Sequence, residues 1–363
     1  MSKKTFKSRN GSIKLPIFFP DATRAVLRTL DSEDIKATKT PGILVNTYHL
    51  ITELGEKVLK KFGGVREFMD FEGGVISDSG GFQVMSLCKT HNGKVTDKGV
   101  KFNLSKNKSI LLTPEMSIRY QMLLKPDMLV VLDDFTMPGA SKEQARETVE
   151  RTILWAKRCK VELERICSKN SIEKKDRPYL LAVIQGGSFQ DLRKECAKRL
   201  LEIGFDGYGY GGWPMDKNNK FDLKSAKTIA KALPKGTFLY GLGIGKPEDI
   251  VACTKLGFNI YDCVLPTRDA RHGRLYVYKA KTMDKIDVNK SKFYEYLSPK
   301  KGRYTHDDSP VSTACDCLLC SKYSRAYLHH LFKIKDSSAL RLATIHNLRF
   351  YSILMERLRS LVW

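Results

Sequence analysis

Eight short runs of apolar, β-prone residues, each followed by a polar or glycine-rich turn, constrain this chain more than any other feature. They fall at residues 15–19, 43–46, 75–77, 128–132, 180–184, 207–210, 238–241 and 259–264. Between them lie longer stretches with apolar residues at three- and four-residue spacing, the period of a helix with one buried face. The clearest, 141–166, opens on Ser141 and acidic residues and sets Val149, Ile153 and Trp155 among charges. Another, 188–203, carries Leu192, Cys196, Leu200 and Leu201 as its apolar stripe. Eight β-then-α units predict an α/β fold closed as a (β/α)8 TIM-type barrel, with an open doubly wound sheet as the alternative. A barrel gathers its functional groups on one face, just after the strands.

With 363 residues, 42% of them hydrophobic, the chain exceeds the roughly 250 residues of a typical barrel. Residues 281–301 are charged and polar and read as a linker or excursion; a cysteine cluster and two helices, 320–332 and 337–358, follow. The expected division is a barrel over 12–285 and a small C-terminal zinc-binding helical subdomain over 286–363, its final helix packing back on the barrel. Lys plus Arg outnumber Asp plus Glu by 63 to 40, a net charge of +23 that favours a polyanionic partner. The first ten residues are polar and basic with no apolar segment after them, and no apolar run approaches the roughly 20 residues of a membrane helix. A cytoplasmic protein is expected. Of nine cysteines, Cys88, Cys159, Cys167, Cys196, Cys253 and Cys263 are scattered and read as small buried hydrophobes.

The other three stand in Cys315-Asp-Cys317-Leu-Leu-Cys320, with His346 following on the last predicted helix. Three thiolates and one imidazole complete a tetrahedral Zn²⁺ shell with no open position, so one structural zinc per chain is expected, joining a helical hairpin. His329 and His330 are competing ligands, and Asp316 reads as a turn residue rather than a ligand.

Carboxylates recur at the strand ends. Asp78 follows the third run, before Ser79, two glycines and Gln83; glycines there allow a flat ligand close to the backbone. Asp262 sits inside the last apolar run, where an ionised carboxylate is costly unless paired or functional. Arg268, Arg271 and Arg274 follow it, a spacing suited to phosphate contacts. Asp133-Asp134 ends the fourth run and Gln185 the fifth, and Asp with Gln at neighbouring strand ends matches a purine's Watson–Crick edge. Gly211-Gly212-Trp213 follows the sixth and offers backbone groups and an aromatic face. Two well-placed carboxylates permit displacement at a glycosidic carbon, one attacking and one managing a proton.

Six segments are similar to those of the tRNA-guanine transglycosylases: Asn46-Thr-Tyr-His-Leu50, Ser77-Asp-Ser-Gly-Gly-Phe-Gln83, Val183-Ile-Gln-Gly186, Gly243-Ile-Gly-Lys-Pro247, Asp262-Cys-Val-Leu-Pro-Thr-Arg268 and the Cys315/Cys317/Cys320/His346 set. They occur in that family's order over essentially the whole chain. The resemblance implies exchange of a guanine in nucleic acid for a free 7-deazaguanine, without ATP and with net retention at C1′. It implies Asp262 as the nucleophile on ribose C1′ and Asp78 as general acid/base. It further implies Ser79, Phe82, Gln83, Asp133, Gln185, Gly211, Gly212 and Leu242 around the base, with Phe82 and Leu242 on its faces. Arg268 and Arg271, with Arg274 near, lie where the family contacts RNA, and a homodimer built partly around the zinc region is implied too. The chain departs from the family's pattern at Trp213-Pro-Met-Asp216, at Asp134-Phe135, and at Phe19-Pro-Asp-Ala-Thr-Arg24 where Pro-Val-Gly-Thr is usual.

Three further readings stand beside a tRNA enzyme. The same chemistry serves a 7-deazaguanine insertion into DNA. A non-catalytic nucleic-acid-binding subunit of a heterodimer would tend to lack a catalytic Asp, whereas both Asp78 and Asp262 are present. A carboxylate-pair glycosidase would leave the net charge and the arginine loop unexplained.

Overall fold

Parallel strands form at all eight predicted places in the computed structural model, which describes residues 4–80, 93–105, 108–216, 218 and 220–361. They are β1 Ile17–Pro20, β2 Gly42–Asn46, β3 Gly74–Asp78, β4 Met128–Val130, β5 Tyr179–Ile184, β6 Gly207–Tyr210, β7 Phe238–Gly241 and β8 Ile260–Cys263. From β2 to β8 each strand pairs with its neighbours in sequence, and β8 pairs in parallel with β1, Asp262 lying opposite Phe19. Between β1 and β2 the ring closes through a parallel bridge of Asp21 with Leu44, where the Ala22 N–H donates to the Leu44 carbonyl at 2.7 Å. Closure on that side excludes the open sheet.

Alternation along the strands sorts the side chains. Ile17, Phe19, Leu44, Ile76, Met128, Val130, Leu181, Val183, Phe238, Tyr240 and Ile260 fill the barrel interior. Phe18, Leu180, Ala182, Ile184, Tyr208 and Tyr261 face outward into the helical layer. An N-terminal antiparallel hairpin, Thr5–Ser8 with Gly11–Lys14, closes the end of the barrel away from the strand C-termini. It inserts Phe6 against Phe19 and Phe238, at ring separations of 5.7 and 5.8 Å. Gly42 is required there, because a Cβ would stand 1.8 Å from the Phe19 ring.

The helix expected from Ser141 runs over Lys142–Lys169, begun by a capping box in which the Ser141 side chain takes the Gln144 N–H and the Gln144 amide takes the Ser141 N–H. Three features differ from the sequence expectations. Antiparallel strands Lys94–Thr96, Gly99–Ser105 and Lys108–Leu112 stand between β3 and β4. The 281–301 excursion contains the strand Tyr294–Leu297, which pairs with Leu275–Tyr278 as a hairpin whose Tyr278 stacks on Phe350 at 4.0 Å. The single helix expected over 320–332 is two, Leu318–Lys322 and Arg325–Lys333, separated at Ser324, whose side chain caps the second by accepting from the Tyr327 N–H. The last helix, Ser337–Ser360, lies against the barrel: the Tyr351 hydroxyl donates to the Gly245 carbonyl at 2.6 Å and its ring packs on Phe18. Among the described residues no helix is long and apolar enough to cross a membrane.

Candidate functional site

Parallel strands all end on one rim, where several residues singled out in the sequence gather with two that were not, Asp21 and Asn46. Asp21 follows β1, Asn46 and Asp78 end β2 and β3, Asp133 and Gln185 follow β4 and β5, Gly211 follows β6, Leu242 follows β7, and Asp262 lies in β8. Sequence distance between Asp78 and Asp262 is thus cancelled by the ring, which sets both at one mouth.

Asp78 is partly open to the cleft, yet its carboxyl is set deep among protein atoms. Asn46 Nδ2 donates to Oδ2 at 2.9 Å and the Gly80 N–H to Oδ1 at 3.0 Å, while the Thr47 hydroxyl donates to the Asp78 carbonyl. Burial, then the charge of Asp21, pushes its pKa up to about 7 against those hydrogen bonds. Gly80 holds φ at +77°, and a Cβ there would come within 2.9 Å of Tyr48, so glycine alone suits this turn.

Asp262 is buried and accepts the Gly243 N–H at 2.9 Å. Burial is again the largest influence, pushing its pKa up to about 7, with Gly243 opposing and Asp21 adding to the rise. The fully buried Tyr240 hydroxyl lies close enough to Asp262 to oppose it too, although it lacks the geometry of a full hydrogen bond. A partly desolvated carboxylate holding few donors keeps basicity and nucleophilicity that solvation would quench.

Across the mouth, Gln185 Nε2 donates to Asp133 Oδ2 at 2.6 Å, and Gln185 Oε1 accepts the Thr136 N–H at 3.1 Å. The amide is therefore fixed with its donor toward Asp133. Burial raises Asp133 to about 6, with the Gln185 hydrogen bond opposing and the Asp134 charge adding. Asp134 itself turns away to pair with Arg151, so only the first carboxylate of that doublet faces the mouth. The Gly211 N–H is committed to the Ile184 carbonyl and its own carbonyl accepts from Arg193, while Gly212 adopts φ +83°. Leu242 lies against the interior cluster beside Gly209. Ser79 is buried next to Asp78. Phe82 and Gln83 lie outside the described residues.

Arg268 and Arg271 lie on the helix Leu265–Arg271, with Arg274 just beyond. Arg268 and Arg274 are more than half exposed at 52% and 58%, each loosely paired with Asp269, and Arg271 is close enough to Arg28 and Arg268 for burial and like charge to lower its pKa. This leaves a basic surface beside β8 and β1.

Several contributors were not singled out from sequence. Asn46 belonged to a recognised segment but had no role; it orients Asp78. Arg193, fully buried, donates to the carbonyls of Ile184, Gly187 and Gly211 and so ties the loops after β5 and β6 together. The signal was an arginine on the apolar stripe of its helix. A cavity of about 1180 Å³ on the outer flank of Lys142–Lys169 contains none of the strand-end groups and is a charged groove rather than the reaction site.

At the other pole of the chain, the ligand atoms of Cys315, Cys317, Cys320 and His346 all lie within 4.8 Å of one another, a set able to hold a metal ion. His346 Nδ1 stands 3.3 Å from Cys320 Sγ and 3.6 Å from Cys317 Sγ, and Nε2 donates to the Tyr276 carbonyl at 2.8 Å. That hydrogen bond leaves Nδ1 as the free lone pair aimed at the sulfurs, which fits a thiolate–imidazole shell. The competing histidines are elsewhere: His329 Nδ1 donates to the Pro299 carbonyl and His330 is exposed. Asp316 is no ligand; it pairs with the buried Arg349 and with Lys39.

Comparison with known proteins adds to this geometry. The family profile described as "TGT: Queuine tRNA-ribosyltransferase" matches residues 4–362. Proteins named queuine tRNA-ribosyltransferase from Shewanella sp. (strain W3-18-1) and Shewanella putrefaciens are 36% identical over 353 residues, covering 97% of this chain and 88% of theirs. One from Shewanella baltica (strain OS155) is 35% identical over the same share.

Proposed function

Because the chain belongs to the queuine tRNA-ribosyltransferase family and so is a pentosyltransferase, we propose that it replaces a guanine of tRNA by a free 7-deazaguanine through an Asp262–ribose intermediate. The observation that carries this reading is the pair of carboxylates at one barrel mouth, half-buried Asp78 and buried Asp262, both with raised pKa.

In the first displacement an Asp262 carboxylate oxygen bonds to C1′ as the C1′–N9 bond breaks, through an oxocarbenium-like transition state. The N9 electron pair departs with guanine and takes a proton from Asp78, which a pKa near 7 keeps partly protonated at neutral pH. In the second, Asp78 accepts the N9 proton of the incoming base, N9 bonds to C1′, and the Asp262–C1′ bond breaks. Two inversions return the original β linkage. No outside energy source is needed, because one glycosidic bond replaces another. The Gly243 N–H and the neighbouring Tyr240 hydroxyl orient Asp262 and meet the charge it regains when displaced. Asp133 and the Gln185 amide offer an acceptor beside a donor to the base edge, with Ser79, Gly211 and Gly212 around it and Leu242 against a face. Arg268, Arg271 and Arg274 take phosphates, in keeping with the net charge of +23.

Zn²⁺ is the ion that Cys315, Cys317, Cys320 and His346 suit, four soft or borderline donors with no position left for water. Its part is structural, joining the turn before Leu318–Lys322 to the last helix and, through the Tyr276 carbonyl, to the hairpin Leu275–Tyr278. On the same side Tyr323, Tyr327 and Ile334 are 37%, 43% and 56% exposed, an apolar surface suited to a second copy of the chain. A tRNA substrate places the activity in the cytoplasm.

The test is incubation with labelled guanine and either undermodified tRNA or duplex DNA. Label is expected in tRNA alone. Label entering only DNA would move the same chemistry to the other polymer and overturn the tRNA assignment.

A further inference from the structure

Asp21 stands at the barrel mouth, and the proposed reaction gives it no task. It follows β1 and bridges to Leu44 of β2, while β1 pairs on its other side with the strand of Asp262. Its carboxylate accepts a hydrogen bond from the Thr23 hydroxyl at 2.5 Å, and burial raises its pKa. Its charge is felt at both Asp78 and Asp262. A third carboxylate beside two others is self-repelling; the Thr23 hydroxyl and the nearby His49 and Arg271 offset part of that repulsion, and a donor from a bound ligand would offset more.

Position says which group. In a ring of eight strands β1 lies opposite β5. Asp133, Gln185 and Gly211 follow β4, β5 and β6, so a base that uses them lies on that side. With C1′ between Asp78 on β3 and Asp262 on β8, the rest of the sugar extends toward β1 and β2. Arg271 is close enough to Asp21 for their opposite charges to interact, and Arg28 and Arg268 are next to Arg271. These arginines suit the flanking phosphates. A sugar held between base pocket and arginines presents its hydroxyls to Asp21, and a carboxylate accepts from a hydroxyl while repelling a phosphate.

We propose that Asp21 accepts a hydrogen bond from the ribose 2′-hydroxyl of the target nucleotide and thereby selects RNA over DNA. The inference rests on the base-exchange reading above. The 2′-hydroxyl is the group that separates the two polymers at a single site, and a half-buried carboxylate facing a 2′-deoxy sugar would lose that added donor.

The experiment uses two RNA stem-loops that differ only at the exchanged guanosine, ribose in one and 2′-deoxyribose in the other. The wild-type enzyme is expected to favour the ribose form in kcat/KM by roughly 10- to 100-fold, the range of one hydrogen bond to a charged group. Asp21→Val should bring that ratio close to one, chiefly by slowing the ribose substrate. Asp21→Asn, of nearly the same shape, should lower it severalfold and serves if the valine variant fails to fold. A preference unchanged in the variants, or both substrates slowed equally, would overturn the inference while leaving the base exchange standing. No exchange by the wild-type enzyme on either stem-loop would overturn the base-exchange reading itself, and this inference with it.

Discussion

The barrel mouth and the cysteine cluster both collect ionisable side chains from segments far apart in sequence, yet they treat them in opposite ways. In the cluster every polar group is answered: the four ligand atoms face one another, His346 is held by the Tyr276 carbonyl, and Asp316 is held by Arg349, which also binds Glu356. At the mouth the groups are left short. Asp262 has the Gly243 N–H but no full hydrogen bond from Tyr240, and Asp78, Asp133 and Asp262 have pKa values raised to about 7, 6 and 7. A closed polar set adds rigidity; an open one keeps reactivity at a cost in stability that the surrounding barrel offsets.

The two poles should respond differently to substitution. Cys317→Ala carries the largest expected effect on the fold. It should release about one metal ion per chain and lower Tm by many degrees, with the 315–361 segment exposed to protease first. Metal content and limited proteolysis read this directly, and an unaltered metal content would remove the cluster from its structural role. Asp262→Asn should have the smaller and opposite effect. A carboxyl raised from 3.8 to about 7 binds its proton more tightly in the folded chain, so its contribution to stability falls as pH rises from about 4 to about 7 and is level beyond. Asn removes the titration while keeping an acceptor for Gly243. The variant should therefore match wild type in Tm near pH 4 and exceed it by roughly 2–5 °C at pH 8. A difference that does not change between pH 4 and pH 8 would show that Asp262 carries no such cost.

The barrel was legible because its strands are buried on both faces and so read as unbroken apolar runs, which locate themselves to within about two residues. The cysteine–histidine cluster was legible because three of its four residues sit within six positions and His346 falls on the inner face of the last helix. The strands Leu275–Tyr278 and Tyr294–Leu297 were not read: the second lies in a charged stretch, and its partner and the Phe350 stack are remote in sequence. The same holds for Asn46 and Asp21. Asn46 meets Asp78 because β2 lies beside β3, and Asp21 comes near Asp262 because closure of the ring sets β1 beside β8. Arg193 was hidden for a related reason, since its task is to satisfy carbonyls of two loops that meet only in the folded barrel.

In the proposed reaction an acidic side chain of β8 becomes bonded to the sugar. Mixing the protein with guanosine-containing tRNA in the absence of free base, denaturing, digesting with nuclease and protease, and mapping the retained ribonucleotide mass by tandem mass spectrometry tests this most directly. The account predicts an adduct on the peptide containing Asp262, absent from Asp262→Asn. An adduct on any other residue, or one that persists in Asp262→Asn, would contradict it.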